Sequence, residues 1–142
     1  NNDLPVKTVP ELIAYMKANP NKLSFGSPGI GTSVHMSGEL FKSMTGTSMT
    51  HVPYKGRQFF IPDLIGGSIQ LVFDNMPSAL PMAKEGKIRA IAQTTAKRSP
   101  AAPDIPTVAE SLPGFEATTD LLVYFSREFS LLPYHLYCCQ AE

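Results

Sequence analysis

The chain has 142 residues, which is enough for one domain with a sizeable core. Its 12 Lys and Arg residues balance its 12 Asp and Glu residues, which excludes the net positive field that recruits nucleic acid and leaves small molecules as the expected partners. No apolar run approaches the roughly 20 residues that cross a bilayer, and residues 1–7 lack the order of a secretory signal, so the chain as given is expected in the cytoplasm when expressed.

The cysteines and histidines indicate neither a disulfide framework nor a metal site. Cys138 and Cys139 are adjacent, and a bridge between neighbouring residues demands strained geometry. The histidines, His35, His51 and His135, share no ligand spacing. The sequence therefore predicts no metal and no cofactor.

Capping signals mark two helices near the start of the chain. Thr8 and Glu11 have capping-box form at the start of a helix that is predicted to run to about Asn19. A second helix is predicted from about Thr32 to Gly46, because glycine readily takes the left-handed conformation that ends a helix. Shorter helices are predicted over residues 62–65, 78–86 and 107–112.

Short apolar segments between these helices predict strands, and the alternation of the two predicts the fold. Strands that alternate with helices through short connections favour an α/β fold, because right-handed crossovers place the helices on the faces of a mainly parallel sheet. A sheet of four or five strands flanked by helices is expected. The strands are predicted over residues 22–25, 49–54, 69–73, 88–94 and 115–119.

The second helix is predicted to be amphipathic, with His35, Glu39 and Lys42 on its polar arc. His35 is a secondary candidate for a catalytic base, but its position four residues before Glu39 is typical of a solvated face, and no nucleophile is identified for it. The residues predicted to face the core are Val34, Met36, Ser37, Leu40, Phe41 and Met44.

A glycine-rich turn from Gly26 to Thr32 leaves the first predicted strand and opens the second helix. Gly29 and Gly31 let the backbone approach a ligand closely, and the unpaired N–H groups and positive dipole end of the helix favour a carboxylate or phosphate. Ser27, Thr32 and Ser33 add hydroxyl donors. The alternative is an ordinary strand-to-helix turn in which Thr32 or Ser33 only caps the helix.

Known catalytic turns do not match this segment. It lacks the lysine of a nucleotide P-loop and the GxGxxG pattern of dinucleotide binding. Ser27 also lacks the GxSxG setting of a hydrolase nucleophile. Phosphoryl transfer is therefore not expected, and a small hydrolase is only a distant alternative.

Polar residues follow two other predicted strands at the same edge of the sheet. The segment Tyr54-Lys55-Gly56 follows one strand, and Asp74 and Asn75 follow the next. Because the carboxyl ends of parallel strands meet at one edge, these side chains are expected to complete a polar pocket with the glycine turn. The alternative is that the two Asx residues satisfy backbone groups of a turn and that Lys55 is solvated.

Three stretches of the chain, between about Leu4 and Thr118, carry a family resemblance. They read LPVKTVPELIAYMKANPNKLSFGSPGIGTSVHMSGELFKSMTG, THVPYKG and IPDLIGGSIQLVFDNMPSALPMAKEGKIRAIAQTTAKRSPAAPDIPTVAESLPGFEAT. They are similar to the solute-binding proteins of the tripartite tricarboxylate transporter family, also called Bug or TctC proteins. Such proteins are two-lobed periplasmic receptors of the type 2 binding-protein fold, which trap small organic acids between their lobes without catalysis.

The resemblance implies a truncated receptor that consists of the second lobe only. It implies a periplasmic location, a di- or tricarboxylate or an acidic amino acid as the ligand, and the membrane components of a transporter as further partners. The residues implied to form one wall of the carboxylate pocket are Ser27, Gly29, Gly31, Thr32, Tyr54 and Asp74.

Two segments depart from the family pattern. Small residues usually follow Gly56 in the family, whereas this chain has the bulky segment 57–60, RQFF, near the expected pocket mouth. After Thr119 the resemblance ends, so residues 1–119 are predicted to form the lobe and residues 120–142 a divergent tail. We hypothesise that a shift of reading frame produced the two departures, which the sequence of the surrounding DNA tests. Within the tail, residues 121–125 could add a strand while residues 131–137 pack over the exposed sheet, or the aromatic residues could leave an adhesive patch exposed.

Two functions therefore compete at the level of sequence. The chain is either a carboxylate-binding lobe that binds weakly or not at all by itself, since one lobe cannot enclose a ligand, or a degenerate or repurposed fragment without binding. An exposed face containing Phe59 and Phe60 could also pair with a second copy of the chain.

Overall fold

The computed structural model describes residues 6–117 and 121–126. Helices and strands alternate along most of this part of the chain, as expected for an α/β fold. In chain order the elements are α1 (Val9–Ala18), β1 (Ser24–Ser27), α2 (Ser33–Thr45), β2 (Thr50–Pro53), α3 (Arg57–Ile65), β3 (Leu71–Asn75), α4 (Met76–Lys84), β4 (Ile88–Gln93), a 3-10 helix (Val108–Glu110) and β5 (Leu121–Ser126).

The five strands form one sheet in the order β2-β1-β3-β5-β4. β1 pairs in parallel with β2 and with β3, whereas β5 pairs antiparallel with both β3 and β4. Four strands therefore run in one direction and β5 runs in the other. The prediction of an α/β fold with a mainly parallel sheet flanked by helices is confirmed.

The predicted strand over residues 115–119 is wrong for the part that the structure describes, because residues 115–117 form a loop. Gly114 turns the chain with a φ of 87°, and Phe115 then packs into the core with its ring centroid 6.1 Å from that of Phe41. The apolar residue Phe115, which suggested a strand, is instead a single core contact made from a loop. Residues 118 and 119 lie outside the described residues.

The fifth strand comes instead from residues 121–126, so the alternative in which residues 121–125 add a strand is confirmed. β5 inserts between β3 and β4 and is paired on both sides. The side chain of Val123 is 1% exposed and belongs to the core. The first part of the predicted tail thus supplies a central strand of the sheet, while residues 127–142 lie outside the described residues.

The predicted helix ends agree with the structure where capping signals mark them. The Thr8 side chain accepts the N–H of Glu11 at 3.4 Å, and the Thr32 side chain caps α2. Gly46 ends α2 in the left-handed conformation with a φ of 62°. α3 and α4 begin earlier than predicted, at Arg57 and Met76, and neither start has a side-chain cap hydrogen bond.

The predicted core face of α2 is partly wrong. Met36 is 56% exposed, and Leu40 and Met44 are each 36% exposed. The helix instead turns its small residues toward the sheet, because the ring of Phe25 occupies the space that a side chain at Gly38 would need. The α2 residues that are buried are Val34, Ser37, Gly38, Phe41 and Thr45.

The expectation that Phe59 and Phe60 share an exposed face is also wrong. Phe60 is completely buried on the inner side of α3, with its ring centroid 6.1 Å from that of Tyr54. Phe59 remains exposed on the outer side of the same helix. Residues that follow one another on a helix point about 100° apart, and here Phe60 faces the sheet while Phe59 faces away from it.

Candidate functional site

The carboxyl ends of β1, β2 and β3 lie side by side, and the glycine turn leaves the middle strand of the three. Ser27 pairs with Pro53 of β2, and Gly26 pairs with Val72 of β3. The structure therefore brings the turn and the ends of both neighbouring strands to one edge of the sheet, where open α/β folds bind their ligands.

The predicted site residues nevertheless divide between the two faces of the sheet. Phe25 packs under α2, and strand alternation places Ser27 on that same face. A Cβ at Gly26 would meet Phe60 and Tyr54, so the opposite face lies under α3. Tyr54 is therefore on the α3 side of the sheet and Ser27 is on the α2 side. The glycine turn lies between these two faces at the edge of the sheet.

The side chains of the turn fix its conformation. Thr32 Oγ1 donates a hydrogen bond of 2.7 Å to the carbonyl of Gly29, and Ser27 Oγ accepts the Gly29 N–H at 3.2 Å. The N–H of Gly31, whose φ is 82°, donates to Nδ1 of His35 at 3.1 Å. Glycine is favoured at position 31 because residues with side chains rarely adopt such a backbone conformation.

The start of α2 leaves a set of backbone donors without partners. The N–H groups of Thr32, Ser33 and Val34 have no acceptor among the residues that the structure describes. No acidic side chain lies in the first turn of this 13-residue helix to occupy them. Since the helix dipole adds partial positive charge at the same point, the arrangement favours an anion.

Ser27 is fully buried, and its hydroxyl lies 2.7 Å from Nε2 of His51. Burial, followed by the charge of neighbouring His35, lowers the pKa of His51, so its neutral form is favoured. The buried hydroxyl is also held by Gly29 and is withheld from any substrate, so this Ser–His contact supports the turn rather than a nucleophile.

His35 does not lie on a solvated face, which corrects the expectation from its helical position. Its side chain is only 16% exposed, although it keeps a contact of 3.7 Å with Glu39. Its ring packs against that of His51, with the centroids 4.1 Å apart and the planes tilted by 34°. The pair of imidazoles fills the space between the start of α2 and β2, with Phe25 beneath it.

Tyr54 and Asp74 reach the expected edge, but both have protein partners. The Tyr54 hydroxyl donates to Asp63 at 2.7 Å, and burial together with this carboxylate raises the pKa of Tyr54. Asp74, which is 3% exposed, accepts a hydrogen bond of 2.7 Å from Nε of Arg57. Each side chain is therefore already neutralised or hydrogen-bonded.

Two residues of this edge were missed by sequence reasoning. His51 was judged only by its spacing to other histidines, whereas its role follows from lying opposite Phe25 in the pairing of β1 with β2. Arg57 was treated as a bulky departure, and its pairing with Asp74 depends on α3 beginning at Arg57. The pairing of the first two predicted strands was the available signal for His51.

Residues 6–117 and 121–126 contain neither a metal-binding cluster nor a membrane-spanning helix. No group of three or more His, Cys, Asp or Glu side chains in this part is arranged to hold a metal ion. None of the helices described has both the length and the apolar character needed to span a membrane.

The fold places the chain among the lobes of periplasmic binding proteins. The periplasmic binding protein BugD superposes with a TM-score of 0.76 at 32% identity, over 89% of this chain and 42% of that chain. Rpa4515 of R. palustris, solved with adipate, superposes with a TM-score of 0.79 at 41% identity, over 91% of this chain and 44% of that chain. MatC from Rhodopseudomonas palustris, solved with bound malate, superposes with a TM-score of 0.77 at 26% identity.

Residues 1–124 match the family described as "Tripartite tricarboxylate transporter family receptor", and the chain belongs to this family. The match continues into β5, beyond the point where the resemblance was expected to end. The "UPF0065 protein in gbd 5'region" of Cupriavidus necator is 41% identical over 108 residues, and Protein BugT of Bordetella pertussis is 36% identical over 110 residues. These alignments cover 76% and 78% of this chain but only 33% and 34% of the relatives. The family is one of receptors rather than enzymes.

Proposed function

We propose that the chain is a carboxylate-binding lobe whose glycine turn holds one carboxylate group of a small organic acid. The observation that carries this proposal is the set of unpartnered N–H groups at Thr32, Ser33 and Val34, at the positive end of a helix without an acidic first turn. Gly29 and Gly31 keep the backbone bare, so an oxygen atom can approach it closely.

In this proposal the predicted site residues have two roles. Gly29 and Gly31 shape the turn and Thr32 supplies a backbone donor, while Ser27 holds the turn from beneath. Tyr54 and Asp74 act as the wall on the α3 side rather than as direct anion ligands, because their polar atoms already have partners.

The affinity of this lobe alone is expected to be weak. Receptors gain affinity by enclosing a ligand, and enclosure of about 70 to 90% of a ligand's surface requires walls on several sides. The chain spans about a third of the length of the relatives that it matches, so the second wall would come from sequence outside this chain. We propose that the complete receptor is periplasmic and delivers its ligand to membrane components of a transporter.

The proposal is tested by titrating the isotope-labelled chain with adipate, malate and aspartate while its backbone amide signals are followed by NMR. Saturable shifts of the amides of residues 30–34, with a dissociation constant of about 1 mM or weaker, are expected. Micromolar affinity would contradict the single-lobe account. Saturable shifts elsewhere with none at the turn would contradict the site.

A matched pair of substitutions separates binding from stability. Gly31→Ala and Gly46→Ala both place a side chain at a left-handed φ, 82° and 62°, with no atom within 4 Å of the new Cβ. Similar losses of stability, about 1 kcal/mol each, are expected. Only Gly31→Ala is expected to weaken carboxylate binding, by roughly fivefold or more, since it alone alters the turn.

The competing proposal is that the chain is a degenerate or repurposed fragment that no longer binds carboxylates. It is favoured by the incomplete coverage of the relatives and by the occupied side chains of Tyr54 and Asp74. Absence of any amide shift at the turn, in a chain that folds cooperatively, supports this alternative over the binding lobe.

A further inference from the structure

We propose that Arg57 makes the pocket selective for ligands with a second carboxylate group. This inference rests on the proposed carboxylate-binding function and adds a residue that sequence reasoning counted only as a bulky departure. It begins from the acidic side chain of Asp74, which by itself would repel an anionic ligand at this edge of the sheet.

Arg57 removes that repulsion. Its Nε donates to Oδ2 of Asp74 at 2.7 Å, and its Nη2 donates to the carbonyl of Ser78 at 3.0 Å. Asp74 is 3% exposed whereas the Arg57 side chain is 36% exposed, so the carboxylate is covered and the guanidinium faces outward. The edge that carries Asp74 therefore presents a cation rather than an exposed carboxylate.

The guanidinium also keeps donors free. Nη1 has no hydrogen-bond partner in the described part of the chain, and the planar fork of arginine suits a carboxylate. One edge of Arg57 is thus used by Asp74 and α4, and the opposite edge remains available to a ligand.

The strand register places this cation near the turn. Gly26 pairs with Val72, so Asp74, two residues further along β3, is level with Pro28 at the start of the turn on β1. Neighbouring strands lie about 4.8 Å apart, so the Asp74–Arg57 pair and the start of the turn are neighbours at this edge of the sheet. One carboxylate would bind at the start of α2 and the second would bind Arg57.

Three six-carbon acids test the selectivity by the same amide titration: adipate, hexanoate and 6-aminohexanoate. The protein is expected to bind adipate about tenfold more tightly than hexanoate, and 6-aminohexanoate most weakly, because only adipate gains a charged hydrogen bond to Arg57. In Arg57→Gln the buried Asp74 loses its partner, so the preference for adipate should disappear and 6-aminohexanoate should gain relative to it.

Two controls keep the test decisive. Arg98→Gln breaks an ion pair with Glu110 that also has a distance of 2.7 Å but lies on an exposed loop, and it should keep the preference for adipate. If Arg57→Gln does not fold, the double variant Arg57→Gln/Asp74→Asn removes both charges together and must show no preference between adipate and hexanoate.

The outcomes separate the two proposals. Equal affinities of the unaltered protein for adipate and hexanoate, with shifts at the turn, would overturn the role of Arg57 and leave the carboxylate site standing. A preference for adipate that survives Arg57→Gln or the double variant would do the same. No shift at the turn with any of the three acids would overturn the carboxylate site and this inference with it.

Discussion

The protonation of one side chain, His51, is expected to make the stability of the protein depend on pH. Burial and the nearby His35 lower its pKa in the folded state below the value of 6.5 that it has when solvated. The unfolded chain therefore binds a proton first as the pH falls, and the free energy of unfolding should decrease below about pH 6.5, until the folded state is protonated too. Above that pH no dependence on His51 is expected.

The variant His51→Gln isolates this contribution. Urea unfolding between pH 7.5 and pH 5 should show a weaker loss of stability in the variant than in the unaltered protein. Identical slopes in both proteins would contradict the assignment. Glu110 does not affect the comparison, because it is present in both proteins. Its hydrogen bonds with Arg98 and Thr107 lower its pKa from 4.5 to about 2, so its contribution to stability is lost mainly below pH 5.

Gly38 sets a second prediction, in which two effects oppose each other. Replacing a helical glycine with alanine normally stabilises a helix by up to about 1 kcal/mol. Here the new Cβ would collide with three ring atoms of Phe25, and overpacking of this kind costs about 1–3 kcal/mol. Gly38→Ala should therefore lower the free energy of unfolding, whereas Ser43→Ala, on the exposed side of α2, should change it by less than about 0.5 kcal/mol.

At the scale of elements, β5 is expected to contribute more to stability than its late position in the chain suggests. It pairs with a strand on each side, and Val123 is buried, whereas Val52 on the edge strand β2 is only half-buried. Val123→Ala should cost about 2 kcal/mol and Val52→Ala about 1 kcal/mol or less. Equal losses in thermal or urea unfolding would show that β5 is not a central strand in solution.

Elements with local signals were predicted well from the sequence, and those that depend on distant partners were not. α1 and α2 carry Thr8, Thr32 and Gly46 at their ends, and each residue acts through neighbours within one helical turn. The orientation of α2 depends instead on Phe25, a residue of another element, so Met36 was wrongly assigned to the core. The start of α3 was also missed, because no side-chain cap marks it in the local sequence.

The same contrast holds for the candidate site. The place of the turn from Gly26 to Thr32 follows from the order of strand, glycine and helix, and this order is local. The partners of Ser27 and Asp74 lie 24 and 17 residues away in the chain, and only the pairing of β1 with β2 and the path of α3 bring them together. Sequence reasoning could place Asp74 at the edge but could not foresee that Arg57 covers it.

At the scale of the whole molecule, the described residues form one lobe of a receptor fold around a five-stranded sheet. Its core extends from α1 to β5, and the family match ends at residue 124, within that last strand. The hypothesis of a shifted reading frame stays a prediction, and it must now accommodate a β5 that pairs on both sides. Family-like codons in another frame after residue 124 would support it, and their absence would count against it.

The most direct test of the proposed function is a crystal structure of the chain grown with saturating adipate. The account predicts a carboxylate group within hydrogen-bond distance of the backbone N–H groups of Thr32, Ser33 and Val34. It also predicts that Arg57 keeps its hydrogen bond to Asp74 while Nη1 of its guanidinium donates to the second carboxylate of adipate. Adipate bound elsewhere, with these three N–H groups bonded only to water, would contradict the account.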